Sequence, residues 1–459
     1  MNGLPSQKLM RIPMKNILLI AVLFFTFSVA ASGATEIILN DIQRPDSAIL
    51  FIVDGLSSSY FYPELTPYAL DGTELSKAVT WNLTFGTRLL DIRTPNPSTC
   101  PAHSVIVTGY SGANEEMVGY PDATIYDITR QHGFVNLAVM EKGDFQNLRD
   151  EQDIILFAQN NSIDKPLISI QANKAPSGIY ELMYDWKMKL PEYLENRKGR
   201  EKYSAYNKWG IDAANAVAGN MRKNHPSQRF LLTVNVGAID SGGHNLGEDD
   251  YYLLIEELDR DIYPLYITAK ENNIALFFTA DHGMSFATKN ARRGGHASGK
   301  YSVRQESLRI PLVIMSSNTV TGIFNGEYRQ GDIAPTLLSV LDLPYNLQYA
   351  DGKPINVKKY ATIFVKADKE YRVSLWNDGQ KVSESSGSEL IFAGMPLNTS
   401  YTIKAIGADK MYEERLFLDS DKLLKFNSGR GLDYRGIIAI ILILIVITGG
   451  LLIIKRIKD

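Results

Sequence analysis

The chain has 459 residues, of which 45% are hydrophobic and 22% are charged, and its net charge is −3. This balance excludes a disordered chain and gives no overall attraction to nucleic acid, while the length leaves room for more than one domain. The single cysteine, Cys100, excludes a framework of disulfides within the chain.

Residues 1–34 have the pattern of a secretory signal peptide. Lys15 precedes a short apolar run, Ile17–Ala31, and small residues suited to cleavage come next. An uncleaved membrane anchor is the alternative interpretation of this segment.

Residues 45–357 alternate short apolar runs with longer helical stretches, which predicts an α/β catalytic domain. Continuous apolar strands joined by helices are typical of a mostly parallel sheet sandwiched between helices. The helical stretches include Lys208–Asn224 and Tyr251–Lys270. Ligands in such sheets bind beyond the carboxyl ends of the strands. The predicted strands are Ala48–Gly55, Val135–Glu141, Arg229–Gly237, Ile274–Gly283 and Arg309–Ser317.

The pattern changes after Lys358, where apolar residues recur at every second position between turn residues. This alternation predicts a small antiparallel, sandwich-like β-domain at 358–418. Residues 419–435 would then form a stalk leading to an uncharged apolar run at 436–454. That run is close to the roughly 20 residues that a membrane-spanning helix needs.

Lys455, Arg456 and Lys458 follow the apolar run. By the positive-inside rule, residues 455–459 form a cytoplasmic tail and the catalytic domain lies outside the cell. The sequence therefore predicts a single-pass protein of the cell membrane with an extracellular catalytic domain.

Carboxylates and imidazoles follow several of the predicted strands. Such side chains are suited to Zn²⁺, with Mn²⁺ or Fe as alternatives. Two ions about 4 Å apart can stabilise both the attacking and the leaving oxygen of a displacement at phosphorus. The motifs are FIVDG with Asp54, PSTCPAH with Thr99, AIDSGGH with Asp240 and His244, TADHG with Asp281 and His282, and GGHASG with His296.

Thr99 is the predicted nucleophile, and we also expect it to contact a metal ion. It precedes Pro101 and a helix expected to begin near His103, which places its hydroxyl at a helix N-terminus. The helix dipole and free amide groups there favour an alkoxide and a phosphate oxygen. Attack by Thr99 on phosphorus would give a phospho-threonine, which water would then hydrolyse. Cys100 is interpreted as a small packed side chain, because no general-base motif accompanies it.

As a set, these motifs resemble those of the alkaline phosphatase superfamily, with the type I phosphodiesterase/nucleotide pyrophosphatase branch as the most similar. The resemblance covers roughly 47–355 and implies an alkaline phosphatase-like fold with two metal ions. It implies that one ion is held by Asp240, His244 and His296. It implies that the other is held by Asp54, Asp281 and His282 together with Thr99. His103 is then a residue of the helix start and not a ligand.

Two departures from related patterns bear on the substrate. The phosphodiesterase group carries an asparagine about twenty residues past the nucleophile, where this chain has Tyr120, with Asn114 nearby. Sulfatases need Cys or Ser followed by x-Pro-x-Arg to build an aldehyde nucleophile, and this chain has Thr99 and His103 at those positions. A sulfatase is therefore disfavoured.

The leading hypothesis is a membrane-anchored, extracellular hydrolase of phosphate mono- or diesters. Its substrate would be a small phosphate ester or a cell-surface glycan or lipid, and no nucleic acid polymer is expected. An alternative is a phosphotransferase that moves a phosphoethanolamine- or glycerophosphate-like group onto a cell-surface glycan. A third hypothesis, from another class, is a surface-binding protein whose catalytic domain is inactive.

Overall fold

The computed structural model describes residues 34–83, 85–408 and 410–426. Within this part of the chain, no helix is both long enough and apolar enough to cross a membrane. The predicted transmembrane helix at 436–454 and its cytoplasmic tail lie outside the described residues, as do residues 1–33 of the predicted signal peptide.

Strands and helices are interspersed as far as Val340, and strands follow from Ala361 onward. The strands are β1 (Thr35–Ile38), β2 (Ser47–Val53), β3 (Thr87–Arg93), β4 (Val135–Met140), β5 (Ile154–Ala158), β6 (Ile168–Ala172), β7 (Phe230–Val236), β8 (Ile274–Ala280), β9 (Ser285–Phe286), β10 (Gly294–Gly295), β11 (Arg309–Met315), β12 (Gly322–Phe324), β13 (Tyr328–Arg329), β14 (Ala361–Asn377), β15 (Gln380–Met395), β16 (Thr399–Ile406), β17 (Met411–Leu418) and β18 (Lys422–Phe426). The α-helices are α1 (Ser58–Phe61), α2 (Thr99–Thr108), α3 (Glu115–Val118), α4 (Ile125–Gln131), α5 (Gln146–Asp150), α6 (Ile179–Leu194), α7 (Gly199–Asn224), α8 (Ala238–Asn245), α9 (Glu248–Asp261), α10 (Tyr263–Glu271), α11 (Gln305–Leu308) and α12 (Ile333–Val340).

Ten strands form the main sheet, in the order β12-β3-β11-β8-β2-β7-β4-β5-β6, with β13 also paired to β3. The five central strands, β8, β2, β7, β4 and β5, are parallel to one another. Antiparallel strands flank them, β11 beside β8 and β6 beside β5. The expected α/β fold is confirmed, with a mixed sheet whose centre is parallel.

The central strands are buried along their whole length. All seven residues of β2, of β7 and of β8 are buried. Because successive side chains of a strand point to opposite faces, both faces of the sheet are covered here. Parallel strands end at the same edge of a sheet, so the residues that follow β8, β2, β7 and β4 lie together at that edge.

The helical stretch expected at 251–270 is two helices in the structure. Helix α9 ends at Asp261 and α10 begins at Tyr263, with Pro264 in its first turn. A proline has no backbone N–H to donate to the preceding turn, and it fits the first turn of a new helix. The expected helical stretch is therefore confirmed, but it is divided into two helices, and Pro264 marks the start of the second.

Six strands form the second sheet, in the order β1-β15-β14-β16-β17, with β18 paired to β14. The interval 358–418 contains four of them, and the other two come from 35–38 and 422–426. Strand β1 pairs in parallel with β15, and β18 pairs in parallel with β14. The chain on both sides of the main sheet therefore contributes to this β-rich region.

A buried cluster of charges joins the two sheets. Nζ of Lys358 lies 2.7 Å from Asp342, which follows α12, and 2.9 Å from Asp421, which precedes β18. All three side chains are nearly inaccessible to solvent. The amide of Thr362 in β14 also donates to Asp421. This cluster fixes the start of β14 against the end of α12.

Candidate metal centre and active site

Three predicted site aspartates follow neighbouring strands of the main sheet. Asp54 follows β2, Asp281 follows β8, and Asp240 lies in the first turn of α8, just after β7. The backbone links two of them, because the amide of Asp240 donates to the carbonyl of Asp54. Gly55 permits this approach, since a Cβ there would lie 2.7 Å from Cβ of Asp240 and its φ is +77°.

The first cluster of potential ligands surrounds Nε2 of His282. That nitrogen lies 3.3 Å from Oδ1 of Asp54, 3.4 Å from Oδ2 of Asp281 and 3.1 Å from Oγ1 of Thr99. Ligand distances of about 2.0–2.1 Å place neighbouring ligands about 3.3–3.4 Å apart in a tetrahedron. The three distances from Nε2 of His282 therefore match the edges of a tetrahedral ligand set, and ligand atoms of Asp54, Asp281 and His282 all lie within 4.8 Å of one another.

The second cluster surrounds Oδ1 of Asp240. This oxygen lies 3.3 Å from Nε2 of His244 and 3.3 Å from Nε2 of His296. The two nitrogens are 3.0 Å apart. The rings of His282 and His296 stack at 3.7 Å between centroids, so the two clusters adjoin. Ligand atoms of Asp240, His282 and His296 also lie within 4.8 Å of one another.

The chemistry of these side chains fits divalent ions. Among the described residues, Oδ1 of Asp54, Oδ1 of Asp240 and Oδ2 of Asp281 are buried without a hydrogen-bond partner. Each histidine has its Nδ1 near a backbone carbonyl: His282 at Gly283, His244 at Gly294 and His296 at Pro97. Donation of Nδ1–H to a carbonyl leaves Nε2 with its lone pair free for a metal. All seven predicted site residues thus lie in one centre.

Burial and neighbouring charges shift the pKa values of these groups. Burial, together with the charge of Asp281, raises the pKa of Asp54 well above its usual value. Burial has the same tendency at Asp281, but His282 and His103 hold its pKa down at about 2. Burial lowers the pKa of His282, which favours the neutral ring that binds metal. At His296, burial is outweighed by Asp240, and the pKa is raised.

Lys142 is a site residue that the sequence prediction missed. Its Nζ lies 3.1 Å from Oδ2 of Asp54 and 3.2 Å from Oδ2 of Asp240. Each aspartate thus directs Oδ1 toward histidines and Oδ2 toward Lys142. Burial acts to lower the pKa of Lys142, but the two carboxylates raise it above its ordinary value. A signal was present, because Lys142 directly follows the predicted strand Val135–Glu141.

The helix carrying Thr99 begins four residues earlier than expected. Helix α2 starts at Thr99 itself, with Ser98 as its N-cap residue. His103 is therefore inside the helix and not at its start, and this prediction was wrong. Its imidazole is buried and its Nδ1 lies 3.3 Å from Oδ2 of Asp281.

Cys100, Asn114 and Tyr120, which the sequence also singled out, contact groups other than the predicted metal ligands. Sγ of Cys100 lies 3.2 Å from the carbonyl oxygen of Asp144, and burial raises the thiol pKa to about 11. The side chain of Asn114 caps α3, and the hydroxyl of Tyr120 donates to Glu116. The polar groups of Asn114 and Tyr120 are thus occupied in the segment that contains α3.

Known structures with a similar fold have low sequence identity to this chain. The alkaline phosphatase PafA is 14% identical, with a TM-score of 0.49 over 69% of this chain and 99% of its own. The phosphonate monoester hydrolase SpPMH from Silicibacter pomeroyi is 11% identical, with a TM-score of 0.44 over 81% of this chain and 88% of its own. The lipoteichoic acid synthase LtaP from Listeria monocytogenes is 11% identical, with a TM-score of 0.44 over 68% of this chain and 75% of its own. Similarity at this level says nothing about the substrate.

No curated protein sequence matches the chain. The family model of the type I phosphodiesterases and nucleotide pyrophosphatases matches residues 48–298, which contain all seven predicted site residues and more than half of the chain. The chain therefore belongs to the type I phosphodiesterase/nucleotide pyrophosphatase family.

Proposed function

We propose that this protein is a membrane-anchored, extracellular hydrolase of phosphate mono- or diesters that uses two divalent ions and a phospho-threonine intermediate. The observation that carries the proposal is the position of Thr99. Its hydroxyl oxygen is at the first residue of α2 and lies 3.1 Å from Nε2 of His282. A nucleophilic oxygen is thus adjacent to a cluster of carboxylate and imidazole groups whose distances from Nε2 of His282 suit a metal site.

The start of α2 is suited to binding a phosphoryl oxygen. The amides of Thr99 and Cys100 have no intrahelical acceptor, because they are the first two residues of the helix. Pro101 has no N–H, and the amide of Ala102 donates to the carbonyl of Ser98. Two amides beside the nucleophile can therefore donate to an equatorial phosphoryl oxygen, and the helix dipole favours its negative charge.

The residues imply a displacement in two steps. When bound, two divalent ions would supply Lewis-acid stabilisation of the phosphoryl charge and lower the pKa of the Thr99 hydroxyl. Oγ1 of Thr99 forms a bond to phosphorus as the bond to the leaving alcohol breaks, and the alcohol leaves with a proton. Water then attacks phosphorus, and Thr99 is released with its proton restored.

The ligand set favours Zn²⁺ over Mg²⁺. Three imidazoles and three carboxylates face the centre, and Mg²⁺ prefers oxygen ligands and retained water. His244 and His296 with Asp240 would hold one ion. Asp54, Asp281 and His282, with Thr99, would hold the other.

The membrane anchor belongs to the proposal because of the apolar run at 436–454 and the cations after it. In this topology the main sheet lies outside the cell. Protease added to intact cells should digest the domain at 45–357. Digestion only after lysis would contradict an extracellular location.

The catalytic proposal is tested on the full-length chain in detergent, loaded with Zn²⁺. Chromogenic monoester, diester, phosphonate and sulfate substrates are compared, and the acid-quenched reaction is digested and examined for phosphorylated Thr99 by mass spectrometry. We expect hydrolysis of a phosphate ester, loss of activity with a chelator, and phosphate on Thr99. Turnover of the sulfate alone would overturn the proposal.

Two further outcomes identify the alternative functions. Transfer of the substituted phosphoryl group to an added glycan, with little hydrolysis of that group by water, would indicate a phosphotransferase. An intact, metal-loaded protein without turnover of any substrate would favour the binding protein.

A further inference from the structure

His103 lies within the centre, although no metal-ligand role is expected of it. The side chain is 1% exposed, and its ring packs against Phe145 at 4.2 Å between centroids. Both ring nitrogens have polar neighbours. Nε2 lies 3.1 Å from Nδ2 of Asn235 in β7, and Nδ1 lies 3.0 Å from the carbonyl oxygen of Thr99 and 3.3 Å from Oδ2 of Asp281.

These contacts define which nitrogen carries the proton. The amide nitrogen of Asn235 can only donate, so Nε2 of His103 accepts and the hydrogen is on Nδ1. That hydrogen faces two oxygens, one from Thr99 and one from Asp281. If the oxygen and nitrogen of the Asn235 amide were exchanged, the hydrogen of a neutral ring would be on Nε2. The lone pair of Nδ1 would then face the oxygens of Thr99 and Asp281, which would repel it.

Asp281 is oriented through its two oxygens in different ways: Oδ1 accepts hydrogen bonds, and Oδ2 lies near two imidazole nitrogens without accepting a hydrogen bond. Its Oδ1 accepts from the amide of Gly55 at 3.0 Å and from the amide of His282 at 2.7 Å. Its Oδ2 lies 3.3 Å from Nδ1 of His103 and 3.4 Å from Nε2 of His282. The position of His103 therefore limits the rotation of the carboxylate that directs Oδ2 into the first cluster.

We propose that His103 is a positioning residue that aligns the nucleophile with a metal ligand. Its Nδ1–H contacts the carbonyl of Thr99 and the carboxylate of Asp281 together, while Asn235 maintains the required tautomer. The helix that presents Thr99 is thereby aligned with Asp281, whose carboxylate would bind the same metal ion as Thr99. This inference rests on the proposed two-ion function, and it assigns to His103 a role that the sequence prediction did not.

The test compares three variants of the full-length chain, His103→Leu, His103→Asn and His103→Gln. An asparagine amide nitrogen occupies nearly the place of Nδ1, whereas a glutamine amide nitrogen reaches the place of Nε2. Bound Zn²⁺ is measured by elemental analysis after equilibration at a series of buffered free Zn²⁺ concentrations. Loss of the group that orients a metal ligand typically lowers affinity about 10–100-fold.

We expect the Leu and Gln variants to bind one of the two ions about 10–100-fold more weakly, with the other ion unaffected. The Asn variant should remain close to wild type. Nitrogen-15 NMR of the wild-type imidazole should show protonated Nδ1. Asn235→Leu should weaken the same ion, and this variant decides the matter if His103→Leu does not fold.

Different results would contradict the positioning role of His103 and the proposed function. If wild type binds two ions and the folded Gln variant binds both with unchanged affinity, the positioning role is wrong and the proposed function stands. If Asn weakens the ion as much as Gln does, His103 has only a packing role. If wild type binds no ion, the proposed function fails and this inference fails with it.

Discussion

Nζ of Lys142 lies 3.2 Å from Oδ2 of Asp240, and the same ammonium lies 3.1 Å from Oδ2 of Asp54. One buried cation thus contacts both ligand clusters. Asp54, Asp240 and Asp281 would otherwise place three carboxylates in a space that is closed to solvent. Lys142 offsets part of this charge, because its ammonium contacts two of the three carboxylates directly.

Replacing Lys142 by methionine should destabilise the metal-free protein. The substitution leaves buried carboxylates without their cation, and breaking a buried ion pair in this way costs about 3–5 kcal/mol. We expect a loss of that size in the free energy of unfolding, measured with denaturant in the presence of a chelator at pH 7. Saturating Zn²⁺ should reduce the deficit, because the ions supply positive charge to the same carboxylates.

A surface ion pair provides the control for Lys142. Nζ of Lys202 lies 2.8 Å from Asp164, whose side chain is 87% exposed. Lys202→Met should change the free energy of unfolding by less than about 1 kcal/mol. Equal effects of the two substitutions would contradict the role assigned to Lys142.

The apparent affinity for Zn²⁺ should rise with pH. Burial and the charge of Asp281 raise the pKa of Asp54, and Asp240 raises the pKa of His296 against the effect of burial. Both groups must lose their protons before they bind a metal, so affinity gains up to about tenfold per pH unit for each proton displaced. Calorimetry in buffers of different ionisation enthalpy should count the released protons. Affinity that is independent of pH, with no proton release, would contradict this assignment.

In the metal-free protein, the contribution of Asp54 to stability should fall as pH increases. A carboxyl group whose pKa is raised by folding contributes stability below the usual carboxyl pKa and loses it as pH increases through the raised value. Zn²⁺ should therefore stabilise the protein more as pH increases, and melting curves with Zn²⁺ and with chelator should diverge.

Local patterns predicted the positions of the aspartates in the centre. An apolar run gives a buried strand, and the residue after it lies at the carboxyl edge of the sheet, so Asp54 and Asp281 were placed without knowledge of the neighbouring strands. Placing Lys142 in the centre required knowledge of the strand order. Its contact with Asp54 and Asp240 depends on β4 pairing with β7, which itself pairs with β2.

Pairings between distant residues were also outside the reach of local patterns. Thr35 pairs with Leu390, and no periodicity within either segment indicates its partner. The contacts of His103 depend on helix α2 beginning at Thr99, since this brings its ring to Asp281 and Asn235. The sequence showed Pro101 in that region but not whether the first turn began before or after it.

Replacing Lys358 by methionine should weaken the junction between the two sheets. Its ammonium is fully buried against Asp342 and Asp421. Removing it leaves two buried carboxylates close together, and a cost of about 3–5 kcal/mol in the free energy of unfolding follows. Lys359→Met is the matched control, because that side chain is exposed and donates only to the carbonyl of Ser317. Unfolding by denaturant measures both, and a neutral Lys358→Met would refute the structural role of the cluster.

Thr99→Ala should abolish most of the activity on the best substrate from the panel. The hydroxyl lies 3.1 Å from Nε2 of His282. Loss of a covalent nucleophile lowers turnover by about three orders of magnitude or more. Thr99→Ser should retain substantial activity, because the hydroxyl and its place at the first residue of the helix are kept. Initial rates at saturating Zn²⁺ and substrate provide the comparison.

Cys100→Ala is the matched control in the same turn of the helix. Burial raises the pKa of this thiol to about 11, so almost none of it is thiolate at neutral pH, and its Sγ lies 3.2 Å from the carbonyl of Asp144. Its removal should leave the rate close to wild type. If Cys100→Ala were inactive and Thr99→Ala active, the nucleophile would be the thiol. The phospho-threonine pathway would then be wrong, although the metal ligands could remain as assigned.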